Sequence, residues 1–94
     1  MTFEWDENKN RINKTKHGVD FETAATVFND PLLASRIERV VDGEERWQSI
    51  GMADGLILLL VAHLDMCENE KIIHIISARK ADNHERRRYE SGTF

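Results

Sequence analysis

The chain has 94 residues, 40% hydrophobic and 32% charged, with a formal net charge of −4. That length predicts a single domain over residues 1–94 with a modest core, and the composition excludes a disordered chain. A lone cysteine, Cys67, excludes an internal disulfide and a thiolate metal site, and the longest apolar run, Leu56–Ala62, is too short to span a bilayer.

The N-terminal MTFEWDENKN lacks the apolar stretch of a signal peptide, so a cytoplasmic protein with no membrane association is expected. Thr2–Trp5 reads as a short strand. Asp6 then caps a polar helix running to about Lys16, with Ile12 its only apolar interior residue. Lys16, His17 and Gly18 form a helix-stop signal, which makes His17 a helix C-terminal cation. Asp20 caps a second helix, whose Phe21, Ala24, Ala25 and Phe28 make an amphipathic stripe ended by Pro31. Strands follow at Leu32–Val41, Glu44–Met52, Leu56–Leu64 and Lys71–Arg79, with turn signals at Asp42-Gly43 and Asp54-Gly55 and a loop at Asp65–Glu70. Asp82 and Glu85 form a capping box that opens a last helix of about two turns, anchored by Tyr89. The fold class is α+β: a four-stranded antiparallel meander plus a short N-terminal strand, with two N-terminal helices and a short C-terminal helix.

The charge is segregated. Residues 1–19 carry a net of +1, residues 20–78 a net of −7 and residues 79–94 a net of +2. Basic ends around an acidic middle suit a polyanion at the ends or a basic partner on the middle. Lys16, Lys80, Arg86 and Arg87 are the candidate polyanion-binding residues.

If Asp54-Gly55 makes a two-residue hairpin and Leu64 pairs with Lys71, two sheet faces result. One, with Trp47, Leu56, Leu58, Leu60, Ile73 and Ile75, is the floor for the N-terminal helices. The other places Arg46, Gln48, His63 and His74 beside Ile50, Met52, Ile57, Leu59 and Ile76, too much surface for the last helix to cover. That face is expected to hold a concave site or a partner surface. Two histidines and an arginine on one face suit RNA cleavage without a metal or other cofactor: a base for the 2′-OH proton, an acid for the leaving oxygen, and fixed positive charge on the phosphorane. The competing readings are solvent-facing strand histidines and an Arg46 paired with Glu44 or Glu45. No metal-ligand spacing, Gly-rich phosphate loop or helix-turn-helix pattern is present.

Three blocks carry a family resemblance: FEWDENKNRINKTKHGVDF (Phe3–Phe21), DGEERWQSIG (Asp42–Gly51) and IISARKADNHERRRYE (Ile75–Glu90). In that order they resemble the BrnT family of prokaryotic toxins. The resemblance implies a RelE-like fold and a ribonuclease toxin of a type II toxin–antitoxin system that arrests translation. It also implies a BrnA-like antitoxin with a ribbon-helix-helix part, a heterotetramer with that partner, and contact with DNA only through it. Arg46 in the E-E-R-W block and Arg79 in S-A-R-K stand in family-like motifs, so Arg46, His63, His74 and Arg79 are the candidate catalytic residues. The alternative is a non-enzymatic binding module, or an inactive toxin acting only in complex, which the acidic middle favours.

Overall fold

The computed structural model describes residues 1–67 and 71–94 and gives a mixed five-stranded sheet in the order β1-β5-β4-β3-β2. The strands are β1 (Thr2–Glu4), β2 (Ala34–Val41), β3 (Glu44–Ala53), β4 (Ile57–Cys67) and β5 (Ile72–Lys80); the helices are α1 (Glu7–His17), α2 (Phe21–Ala25) and α3 (Asn83–Ser91). Strands β2 to β5 pair antiparallel in succession, and β1 adds itself in parallel to β5 through Thr2↔Ile72 and Glu4↔His74. The expected loop at Asp65–Glu70 is shorter at its start, because β4 continues to Cys67; residues 68–70 lie outside the described residues.

Local signals set the element ends as expected. Asp6 accepts from the Asn8 and Lys9 amides, and Gly18 closes α1 at φ 72°, a left-handed conformation open to glycine at little cost. The Asp82–Glu85 capping box is fully formed at the start of α3. The second helix is cut short: after Ala25 the chain tightens into a 3-10 turn, Thr26–Asn29, which brings Val27 and Phe28 down onto the sheet. That approach needs Gly51, where a Cβ would sit 3.0 Å from the Val27 carbonyl oxygen.

α1 is held by polar contacts. Ile12 is 65% exposed, whereas Asn10 and Asn13 are buried. The Asn13 amide donates to the carbonyls of Val19 and Ala78 and accepts from the Ala78 amide, at 2.8, 2.8 and 3.1 Å. A side chain thus extends the ladder of β5 at Ala78, beyond the β1 pairings at Ile72–His74. Asn10 caps the next segment by accepting from the Phe21 amide.

The register differs from the two-residue hairpin expected. At the Asp54-Gly55 turn the Leu56 amide bonds the Ala53 carbonyl, but Ala53 pairs with Ile57, so Leu56 is an extra residue. A one-residue slip exchanges the faces of a strand. Leu59, Val61 and His63 therefore lie on the helix-covered side with Ile73, Ile75 and Ala78, while Leu58 and Leu60 join Ile50 on the other. On that second side the apolar half is covered after all: Tyr89, Ala81 and Phe94 pack against Ile50, Leu58 and Leu60. Tyr89 is pinned by a 2.5 Å hydrogen bond from its hydroxyl to Asp30, and Arg36 stacks its guanidinium 4.1 Å above the Phe94 ring. The polar half of this face stays open.

Candidate active site

The open half forms a concavity of about 490 Å³. It is lined by Lys16 and His17 from α1, Glu38 and Arg39 from β2, Arg46, Trp47 and Gln48 from β3, Leu60 and Ala62 from β4, and Ile76 to Arg79 from β5. Two β-bulges shape it. Glu38 is the extra residue of β2 between Ile37 and Arg39, and Ile76 the extra residue of β5 opposite the Ala62–His63 step. Bulges re-aim side chains and increase local twist, and both bulged residues line the concavity.

Past the Glu38 bulge, Arg39 is directly opposite Arg46. Like charges at directly opposed strand positions destabilise a sheet, so this pair calls for an anion between or above it. Arg46 is only loosely met by Glu44 at 3.9 Å, and its Nε is buried with no hydrogen-bond partner among the described residues. Arg79 is more firmly held: it donates to both Glu85 oxygens, at 2.8 and 2.9 Å. That bidentate bond raises the Arg79 pKa and holds the Glu85 carboxyl below its usual range, against the opposing effect of burial. Lys16 completes four cations on one concave surface.

The candidate residues from sequence separate into two groups. Arg46, Arg79 and Lys16 line the concavity; His63 and His74 do not. The register slip carries His63 to the helix side, where it is 3% exposed, edge-on to Phe28 at 5.1 Å. Its Nε2 is 2.7 Å from the Ser49 hydroxyl, which in turn lies 2.6 Å from that of Ser35. Burial pushes the His63 pKa down, against the pull of Asp65, which favours the uncharged imidazole in this core position. His74 sits where β1 joins β5 and bonds Glu4 at 3.1 Å. Lys80, Arg86 and Arg87 are exposed but lie outside the concavity. Arg39, Glu38 and His17 are the lining residues that sequence reasoning missed. An alternation argument cannot see a bulge, and the helix-stop reading absorbed His17.

Among the described residues no three His, Cys, Asp or Glu side chains gather as a metal-ligand set, and no helix is long and apolar enough to cross a membrane. Fold and site together define a small α+β protein with a cationic concavity on an open sheet face, a surface whose charge is complementary to a polyanion. The family model for "Ribonuclease toxin, BrnT, of type II toxin-antitoxin system" matches residues 5–85, and the chain belongs to that family. Its fold is similar to the crystal structure of the Brucella abortus ribonuclease toxin BrnT, with a TM-score of 0.63 and 26% identity over 88% of this chain and 99% of that one. No curated protein matches the sequence.

Proposed function

We propose that this chain cleaves RNA in the cationic concavity without a metal ion, and that a BrnA-like antitoxin neutralises it. The observation that carries the reading is the directly opposed Arg39–Arg46 pair, joined by Lys16 and Arg79 on one concave surface. Cationic donors fixed in place before the substrate arrives stabilise the extra negative charge of a phosphorane without reorganisation. Arginine's planar fork suits paired phosphate oxygens, and Arg46, met only by Glu44 at 3.9 Å, has terminal donors to spare. Arg79, oriented by Glu85, presents its remaining edge. Lys80, Arg86 and Arg87 serve as outer charges that steer RNA toward the site.

Type II membership supports a protein antitoxin. The BrnA-like, ribbon-helix-helix partner, the heterotetramer, a RelE-like relation of the fold, a cytoplasmic location and translation arrest belong to this proposal. Contact with DNA then runs through the antitoxin alone. Ile37 and Val40, exposed on β2, leave apolar surface for such a partner beside the concavity.

The test is purified protein on an unstructured RNA with EDTA present. Wild type cleaves, and Arg39→Ala and Arg46→Ala each lose roughly 10²-fold or more, in the range seen when one transition-state donor is removed. Cleavage that vanishes with EDTA, or arginine variants that cleave like wild type, would reject the site.

A further inference from the structure

The four cations can hold a phosphate but are poor proton carriers at neutral pH, and the histidines expected to move protons lie elsewhere. Taking the ribonuclease reading as its basis, we infer that His17 and Glu38 are the proton-transfer pair, His17 as general acid and Glu38 as general base.

They are the only imidazole and the only carboxylate lining the concavity among the described residues. They stand on opposite walls, His17 on α1 beyond the β5 edge and Glu38 on β2, with β3 and β4 between. At about 4.8 Å per strand step, β2 is roughly 14 Å from β5 and α1 lies further out still, so two inward-reaching side chains leave room between them for one phosphodiester. Opposite placement is what an in-line displacement requires, because the attacking and leaving oxygens take opposite apices of the phosphorane.

Both side chains are also uncommitted. Although Glu38 shares its surface with four cations, it makes no ion pair within 4.0 Å, and His17 makes no side-chain hydrogen bond, among the described residues. Each is aimed by a specific device. Strand alternation from Arg36 puts Glu38 on the concave face and the bulge brings Arg39 beside it, while Asn13, one turn before His17 on the same side of α1, fastens that side to Ala78. A helix-terminal cation alone would need no such placement.

The Glu38 carboxylate takes the 2′-OH proton while the 2′-oxygen forms a bond to phosphorus. The bond from phosphorus to the 5′-oxygen breaks, and that oxygen takes a proton from the His17 imidazolium. The products are a 2′,3′-cyclic phosphate and a 5′-hydroxyl, and solvent then restores both side chains. The charged groups around the pair are Lys16 on α1, Arg39 on β2, Arg46 on β3 and Arg79 on β5, the last neutralised by Glu85 of α3; β4 contributes only Leu60 and Ala62.

The experiment uses an RNA whose wild-type cleavage site is mapped, resynthesised with a bridging 5′-sulfur at that linkage. A thiolate leaves without a proton. His17→Gln and Glu38→Gln should each fall roughly 10²–10⁴-fold on the normal RNA, the usual span of acid–base catalysis. On the 5′-thio RNA His17→Gln should return to within about tenfold of wild type, whereas Glu38→Gln should stay low. His17→Asn serves if His17→Gln does not fold. A His17 variant that is slow on both substrates would overturn the acid role, and a Glu38 variant that cleaves normally would overturn the base role. Wild type that cleaves neither RNA would reject the ribonuclease reading itself, and this inference with it.

Discussion

Asn13→Ala tests whether polar docking, not apolar packing, holds α1 and with it one wall of the site. The substitution removes three hydrogen bonds made by a residue only 5% exposed. At about 1 kcal/mol each the loss is about 3 kcal/mol. Alanine is the better helix former, which returns about 0.6 kcal/mol. The net is about 2.5 kcal/mol, which for a domain of this size lowers Tm by roughly 10–20 °C. Ile12→Ala is the control. Its side chain is exposed, so its effect should stay within about 0.5 kcal/mol. Urea titration of both variants, analysed at a common slope, gives the two values. If Asn13→Ala costs less than about 1 kcal/mol, or if the two variants weaken the fold equally, the account of α1 is wrong. Cleavage should fail in Asn13→Ala even where most molecules are folded, because Lys16 and His17 lie within one turn of the lost anchor.

Removing one of the two opposed arginines should stabilise the fold and disable the site: Arg39→Thr gains about 0.2–1 kcal/mol while RNA cleavage is lost, and a variant less stable than wild type would argue against a strained pair. Because Arg79 depresses the pKa of Glu85, that carboxylate favours the folded state above its ordinary value of 4.5 and loses the contribution as pH falls through the lower folded value. Thermal unfolding between pH 6 and about pH 3 should therefore show an acid loss that is flatter in Glu85→Gln. For His63 burial lowers the folded pKa beneath the ordinary 6.5, so the unfolded chain binds the proton more readily and stability falls as pH drops below that value. Nitrogen-15 NMR should find His63 titrating below the ordinary 6.5, with Nε2 accepting from Ser49 in the neutral form; a midpoint above that value would contradict the buried placement.

What could be read from sequence was local. Asp6, Gly18, Asp20, Asp82 and the two Asp-Gly turns act within a few residues of themselves, and each ends or starts an element where expected. Register is not local. The extra Leu56 after the Asp54-Gly55 turn leaves the turn intact yet inverts the face of every β4 residue, so His63 moved from the open face to the core while Leu58 and Leu60 moved the other way. The bulges at Glu38 and Ile76 change the count again, and nothing in their side chains announces them. Covering the apolar half of the open face was also beyond alternation, since Phe94 comes from a tail after α3 and acts with Tyr89.

The charge pattern of the sequence pointed to a polyanion, and the structure gathers cations by a different route. Basic ends around an acidic middle suggested that the ends grip a polyanion. Only Lys16 and Arg79 of those ends reach the concavity, and Glu85 offsets Arg79. Arg39 and Arg46, the directly opposed pair, come from the acidic middle. Arg86 and Arg87 remain on α3, turned about 100° apart by the helical step, and cannot share one phosphate there. A net charge of −4 is therefore no obstacle to binding RNA. What the ligand meets is set by α1, β2, β3 and β5, which the α1 docking, the β2 bulge and the β5 bulge bring to one surface, while Asp6, Asp20, Asp82 and Glu85 serve as helix caps and the Arg79 brace. Moving the same cations back to the ends, by exchanging Arg39 with an exposed residue of α3 such as Glu90, keeps the net charge but should abolish cleavage; retained activity would mean that overall charge, not the concavity, recruits the substrate.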